Sequence, residues 1–176
     1  MKNTYSIDPV HSSVQFRIRH LMIANVRGAF RILNGTVIFD RDDLAGSSVT
    51  ADIDATSVST LDNKRDEHLK SKEFFNVDEF PTFHFASTRI DWGGNGGLDV
   101  RGNITVRGIT KPIGLRVEGP TGESKDPWGK IRVGAAGSAT LKRSDFGLAW
   151  NAALETGGVV LGDDIHVELE IQLVKA

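Results

Sequence analysis

The sequence predicts an all-β protein, folded as an antiparallel barrel of about eight strands with one short helix near residues 61–70. Three observations lead to this prediction. Apolar and polar residues alternate along most of the chain, turns rich in glycine or proline separate the alternating segments, and small side chains lie in the middle of several apolar faces. Alternation with a period of two is typical of antiparallel strands that have one buried and one solvated face.

Length and composition indicate a single globular domain over residues 1–176. The chain has 176 residues, 25% of them charged, and a formal net charge of -2. This length is enough to bury a core without disulfides. The chain has no cysteine, which excludes thiol catalysis and thiolate metal sites. The near-neutral charge gives no electrostatic signal for nucleic-acid binding, which usually needs a basic face, and no apolar run is long enough to predict an integral membrane segment.

The N-terminal residues provide a prediction of the cellular compartment. Residues 1–9 contain no apolar segment typical of a secretory signal, so the sequence as written predicts a cytoplasmic protein. A mature chain from which a signal had been removed would look the same, and that chain would be periplasmic.

The N-terminal strands follow from local alternation. Residues 14–18, 26–33 and 36–40 each alternate between apolar and polar side chains. Asn34-Gly35 predicts a hairpin turn between the last two segments, because both residues tolerate the positive φ angles of a type I′ turn. Residues 49–55 predict the next strand.

Residues 61–70 depart from the strand pattern. This segment is charged and rich in helix-forming residues, with Leu61 and Leu69 two turns apart. It predicts a short helix that covers one end of the sheet, with Phe74 and Phe75 fixing the exit of the chain.

The C-terminal half returns to alternation. Thr110-Lys111-Pro112 is predicted to end one strand, because proline cannot donate a backbone hydrogen bond. Residues 93–97 and 119–129 are predicted loops. The predicted strands are 82–90, 98–106, 113–118, 131–141 and 165–173.

Small inward side chains favour a barrel with a cavity over a sandwich. Ala51 and Ala135 lie midway along apolar faces, where they would underfill a sandwich core. An eight-stranded barrel can hold one small ligand in such a space. The alternative is that large neighbouring side chains fill it. The predicted pocket residues are Phe16, Ile18, Phe30, Ala51, Ile53, Phe83, Phe85, Ile104, Val133 and Ala135.

Three polar residues are predicted at the rim of the pocket. His20 and Arg143 continue the inward alternation of their strands, and Asp145 follows on the same side. Arginine beside a carboxylate at a strand end is suited to an anionic head group. The alternative is a structural ion pair that closes the end of the barrel.

No motif predicts catalysis, a metal site or a cofactor. The five histidines have no paired spacing, and His84 and His166 fall on the solvated faces of their strands. No serine lies in the frame of a nucleophile elbow, and the glycines of 93–97 match no phosphate-binding motif.

Several segments together resemble the YceI-like family. They occur in order along nearly the whole chain, and they are specific only as a set. The segments are His11-Ser-Ser-Val-Gln-Phe16, His20, Val26-Arg-Gly-Ala-Phe30, Arg65-Asp-Glu-His-Leu-Lys-Ser71, Phe74-Phe75, Phe80-Pro-Thr-Phe-His-Phe-Ala-Ser87, Gly102-Asn-Ile-Thr-Val-Arg-Gly-Ile-Thr-Lys-Pro112, Arg143-Ser-Asp-Phe-Gly147 and Gly162-Asp-Asp-Ile165.

The resemblance implies a lipocalin-like barrel with a long apolar pocket that binds polyisoprenoids or related amphiphiles. The expected partner is an isoprenoid or fatty lipid, and the expected role is that of a carrier, storage or sequestering protein and not of an enzyme. The alternative is a small enzyme that acts on a bound isoprenoid lipid inside the barrel. The oligomeric state stays open, with a homodimer as one alternative.

Overall fold

The computed structural model describes residues 1–152 and 160–176. Within these residues the chain forms ten strands and one α-helix. The strands are β1 (Asn3–Ile7), β2 (Ser13–His20), β3 (Ala24–Phe39), β4 (Ser48–Ser59), β5 (Thr82–Trp92), β6 (Leu98–Val106), β7 (Ile109–Glu118), β8 (Ser124–Lys125), β9 (Ile131–Lys142) and β10 (Leu161–Lys175), and the helix is α1 (Asn63–Lys70). In this part of the chain no helix is long and apolar enough to cross a bilayer.

The sheet closes on itself as a ring of eight positions. The order is β10-β2-β3-β4-β5-β6-β7-β9, and β9 pairs back to β10. β1 pairs with both β10 and β3, so it occupies the same ring position as β2, on the other side of the loop 8–12. β8 likewise pairs with β9 beyond the end of β7, so β7 and β8 share one ring position. All pairs are antiparallel, which confirms the predicted barrel with one short helix.

The turn predicted at Asn34-Gly35 is wrong, because β3 continues through it. The register of β3 against β4 shifts between Ile32 and Asn34, which marks a β-bulge. A Cβ atom at Gly35 would collide with the side chain of Ile7 and would lie 2.8 Å from the carbonyl oxygen of Thr50. The glycine is therefore required by close packing at the bulge, where β3 changes partner from β2 to β1.

The strand break predicted at Thr110-Lys111-Pro112 is also wrong. The chain turns earlier, at Arg107-Gly108, where both φ angles are positive. β7 then runs through Pro112. One edge of β7 pairs with β6. The other edge pairs with β9 only at residues 116–118, so within the described residues no strand pairs with that edge over 109–115. Proline is tolerated there because an unpaired edge does not need its N–H group.

Helix α1 begins later than predicted. Asp62 is the N-cap, and its carboxylate accepts a hydrogen bond from the Arg65 backbone N–H at 2.9 Å. This is the usual way to satisfy a free amide at a helix start. Leu61 lies outside the helix with a φ of 62°, and its side chain is almost fully exposed.

A charge cluster on the outer wall joins segments that are distant in sequence. Nη1 of Arg132 donates to Oδ2 of Asp8 at 2.6 Å and to Oε1 of Gln172 at 2.6 Å. Nε of Arg132 donates to Oδ2 of Asp126 at 2.7 Å. The hydrogen bond from Arg132, then that from His11, holds the pKa of Asp8 well below its usual range, and Arg132 also lowers the pKa of Asp126.

These lowered pKa values predict an acid-sensitive barrel. A carboxyl whose folded pKa is depressed stabilises the fold above its unfolded pKa of about 3.9, and this stabilisation is lost as the pH falls through the folded pKa. The melting temperature is therefore expected to fall steeply below about pH 4. The slope should be shallower in Arg132→Gln, measured by circular dichroism, than in the exposed control Arg101→Gln. Equal slopes in the two variants would contradict the assignment.

Candidate functional site

The inside of the barrel is a cavity of about 1000 Å³. Its volume lies at the upper end of the range for small-molecule sites. Side chains from every ring position line it, from His20, Arg65 and Trp150 at one end to Arg41 and Glu123 at the other. We call the first of these the helix end, because α1 lies there. The cavity therefore follows the long axis of the barrel.

All ten residues predicted to line a pocket do line this cavity. Alternation along regular strands places them there: Phe16, Ile18, Phe30, Ala51, Ile53, Phe83, Phe85, Ile104, Val133 and Ala135. Their contact with a ligand stays a prediction. The rings of Phe16, Phe30, Phe75 and Phe83 pack on one another with centroids 5.2–5.6 Å apart. The large side chains thus form part of the wall and leave open space beside the small ones.

Helix α1 is attached to the barrel by a buried polar network. Oδ1 of Asp66 accepts hydrogen bonds from the Thr60 N–H at 2.8 Å and from the Thr60 hydroxyl at 2.6 Å. Arg65 donates from Nε to Oγ1 of Thr60 and from Nη2 to its carbonyl oxygen. The helix is therefore fixed to the end of β4, across the helix end of the cavity.

The helix end carries basic and aromatic side chains. His20, Lys64, Arg65 and His68 line the cavity here, together with the carboxylate of Asp62. The Trp150 ring lies 5.2 Å from the ring of His68, centroid to centroid. Of these residues, only His20 is predicted from the sequence. The sequence predicts segment 61–70 to be a helix that covers the barrel. A helix lacks the period-two alternation that identifies cavity-facing residues on a strand, so its cavity-lining side chains are not predicted.

Arg143 lies in the cavity wall, and its hydrogen bonds go to the backbone. Nε donates to the carbonyl of Gly162 at 2.7 Å, and Nη1 donates to those of Leu148 at 2.6 Å and Trp150 at 2.8 Å. Nη2 lies 3.5 Å from the carbonyl oxygen of Leu161. Burial lowers the pKa of Arg143, and the nearby charge of Asp163 opposes this effect. Arg143 thus joins the segment after β9 to the start of β10.

The predicted pairing of Arg143 with Asp145 is wrong. Strand β9 ends at Lys142, and residues 143–146 form a 3₁₀ turn. This turn ends the alternation on which the prediction depended, so Asp145 is exposed and lies outside the cavity wall. The carboxylate that fixes this turn is Asp163, which accepts from the N–H of Ser144 at 3.0 Å and from its hydroxyl at 2.7 Å.

The histidines predicted on solvated faces are found there. His84 is exposed, with Nδ1 2.6 Å from Oδ1 of Asp52 on the neighbouring strand. His166 lies beside Thr140 on the outer wall. Residues 1–152 and 160–176 contain no group of three or more carboxylate or imidazole side chains that could hold a metal ion.

Comparison with known proteins gives a consistent result. The model of the YceI-like domain matches residues 5–173 of the chain. A UPF0312 protein of Pseudomonas paraeruginosa is 39% identical over 150 residues, which cover 84% of this chain and 78% of the relative.

Two solved structures share the fold. BcnA of Burkholderia cenocepacia superposes with a TM-score of 0.78 at 20% identity, covering 94% of this chain and 98% of that one. A polyisoprenoid binding domain from Saccharophagus degradans superposes with a TM-score of 0.69 at 16% identity, covering 98% of both chains.

Proposed function

Since the chain belongs to the YceI-like family, we propose that it binds an isoprenoid or a similar long-chain amphiphilic lipid in its barrel, as a carrier, storage or sequestering protein. The observation that carries the proposal is the cavity of about 1000 Å³, whose wall is formed mainly by aliphatic and phenylalanine side chains. The shared fold of the polyisoprenoid binding domain from S. degradans supports the same class of ligand.

An apolar tail fits this cavity for energetic reasons. Each buried CH₂ group contributes roughly 0.8 kcal/mol, so a tail of several prenyl units gains enough to exceed the cost of ordering it. The wall offers few polar groups, and selection among tails then depends on length and shape. The basic side chains of Lys64 and Arg65 at the helix end are placed to attract a polar or anionic head group.

The alternative is an enzyme that acts on a lipid held in the barrel. Such an enzyme needs a convergent pair of titratable groups near the reacting atoms. The titratable groups of the described cavity wall lie toward its two ends, with those of α1 at one end and Arg41 and Glu123 at the other. This distribution favours binding over chemistry.

The proposal is tested by extraction of freshly purified protein with organic solvent and mass spectrometry of the extract. We expect a prenol, quinone, fatty amide or other long-chain lipid in near-stoichiometric amount. The emptied protein should then take up an added prenol or prenyl diphosphate and return it unchanged. Failure to extract or take up any such lipid would overturn the proposal, and recovery of a modified lipid would support the enzyme alternative.

A further inference from the structure

The turn between β2 and β3 has an unusual sequence for its backbone. Leu21 and Met22 both have positive φ angles, 54° and 59°, and the Ile23 N–H donates to the His20 carbonyl at 3.1 Å. These are the features of a type I′ turn, whose central positions are normally Asn, Asp or Gly. Large apolar side chains are strained there, and the fold alone gives no reason for them.

The apolar side chains of this turn are also exposed to solvent. Met22 is 54% exposed and Ile23 is 76% exposed. Leu61, which also has a positive φ angle, is 98% exposed. It follows the end of β4, which pairs with β3, so it lies at the helix end together with the turn. Trp150, at the same end of the cavity, is 36% exposed.

Basic side chains lie on the two strands that this turn joins and on α1. Residues 9–39 contain four arginines and no carboxylate, although the whole chain has a net charge of -2. Arg17 and Arg27 are directly opposite each other on β2 and β3, an arrangement of like charges that destabilises a sheet. Among the described residues, neither of them nor Lys64 forms an ion pair.

Three described carboxylates at this end have partners of their own. Asp62 caps α1. On β10, the carboxylate of Asp163 accepts from Ser144, and that of Asp164 pairs with Lys142 at 3.1 Å. Glu168 lies near Arg17 on the outer wall, further from the turn. None of these three aspartates is paired with Arg17, Arg27 or Lys64, so among the described residues these cations stay available to an external anion.

We propose that the helix end of the barrel docks on an anionic lipid bilayer. Met22, Ile23 and Leu61 enter the interface, and Arg17, Arg19, Arg27 and Lys64 contact the lipid phosphates. Exposed apolar side chains with basic neighbours are the combination that binds such surfaces. Docking places the mouth lined by His20 and Lys64 against the membrane, so the proposal adds a membrane partner to the proposed lipid-binding function.

The test is co-sedimentation of the protein with vesicles of phosphatidylcholine containing phosphatidylglycerol. We expect binding that weakens with salt and with removal of phosphatidylglycerol. Each basic residue near the surface contributes about fivefold to the affinity, so Arg17→Gln combined with Arg27→Gln should weaken binding by more than tenfold. The control Trp128→Ser removes an exposed side chain from the loop between β8 and β9 at the other end and should bind like the wild type.

A second variant separates docking from folding. Leu21→Asn combined with Met22→Gly gives the turn its preferred residues, so the free energy of unfolding should rise or stay constant while vesicle binding falls at least tenfold. Unchanged binding, or binding that depends on neither charge nor salt, would overturn the proposal. A loss of self-association in this variant, seen by sedimentation without vesicles, would instead assign the surface to a second copy of the chain.

The docking proposal and the proposed lipid-binding function can be disproved independently of each other. Ala135→Phe, which reduces the cavity, should leave vesicle binding unchanged. If the wild-type protein takes up prenol from solution but does not sediment with vesicles, docking is disproved and the lipid-binding function stands.

Discussion

Ala135→Phe is expected to abolish uptake of a prenyl lipid while leaving the barrel folded. Ala135 lies on β9 with its side chain in the cavity wall, so a phenyl ring at this position would project into the space that a tail would occupy. In a packed core such an enlargement costs about 1–3 kcal/mol. Beside an open cavity the cost should be smaller, because the ring can extend into the open space.

The measurement combines lipid uptake with chemical denaturation. The affinity for a long-chain prenol should fall by more than tenfold in Ala135→Phe and by less in Ala51→Leu, which adds fewer atoms. Ala136→Phe is the matched control, because Ala136 is exposed on the outside of the same strand. A large loss of stability in both cavity variants, with uptake unchanged, would show that the space is a packed core and not a binding site.

Arg143→Met is expected to destabilise the protein by about 3 kcal/mol, because it leaves one buried and two half-buried backbone carbonyls without donors. Hydrogen bonds to a charged group contribute roughly 1.5–3 kcal/mol each, and a buried acceptor that loses its partner carries a further penalty. Three carbonyls, those of Gly162, Leu148 and Trp150, accept from Arg143 within 2.8 Å. Water that enters the site would donate hydrogen bonds to some of these carbonyls. The total loss of stability is therefore less than the sum of the separate contributions.

Urea denaturation with a control variant tests this expectation. Arg101→Met removes an exposed arginine and should change the free energy of unfolding by less than about 0.5 kcal/mol. Arg143→Lys should be intermediate, because an ammonium group cannot reach carbonyls on both sides. A head-group role for Arg143 predicts a different result, in which Arg143→Met stays stable and loses affinity for a prenyl diphosphate but not for a neutral prenol.

The strands and the cavity wall were predictable because both depend on local alternation. Residues such as Phe83 and Ala135 lie where a period of two places them, and this period holds wherever a strand is regular. The prediction failed for Asp145, because β9 ends one residue before Arg143 and a 3₁₀ turn replaces it. A strand end is fixed by tertiary contacts, here the bonds from Arg143 and to Asp163, which the local sequence does not reveal.

The predictions made from turn-forming residues were wrong for a related reason. Asn34-Gly35 is a local signal for a turn, and Pro112 is a local signal for a strand break. In both places, however, contacts with neighbouring strands determine the backbone conformation. Gly35 is needed where Ile7 packs against β3, and Pro112 lies on an edge that needs no donor. The basic groups of α1 at the cavity were missed because a short polar helix has no apolar face to give its orientation.

The short pairing between β7 and β9 has a consequence for behaviour in concentrated solution. Three residue pairs close the ring there, and the first part of β7 presents backbone amides and carbonyls that an incoming strand of another molecule could bind, which is the usual start of edge-to-edge aggregation. Lys111 and Pro112, both exposed, lie on this stretch, and a charge and a missing N–H are the two features that most discourage strand addition. The proline that looks like a strand breaker in the sequence therefore protects this edge of β7, with which no described strand pairs over residues 109–115, against other copies of the protein.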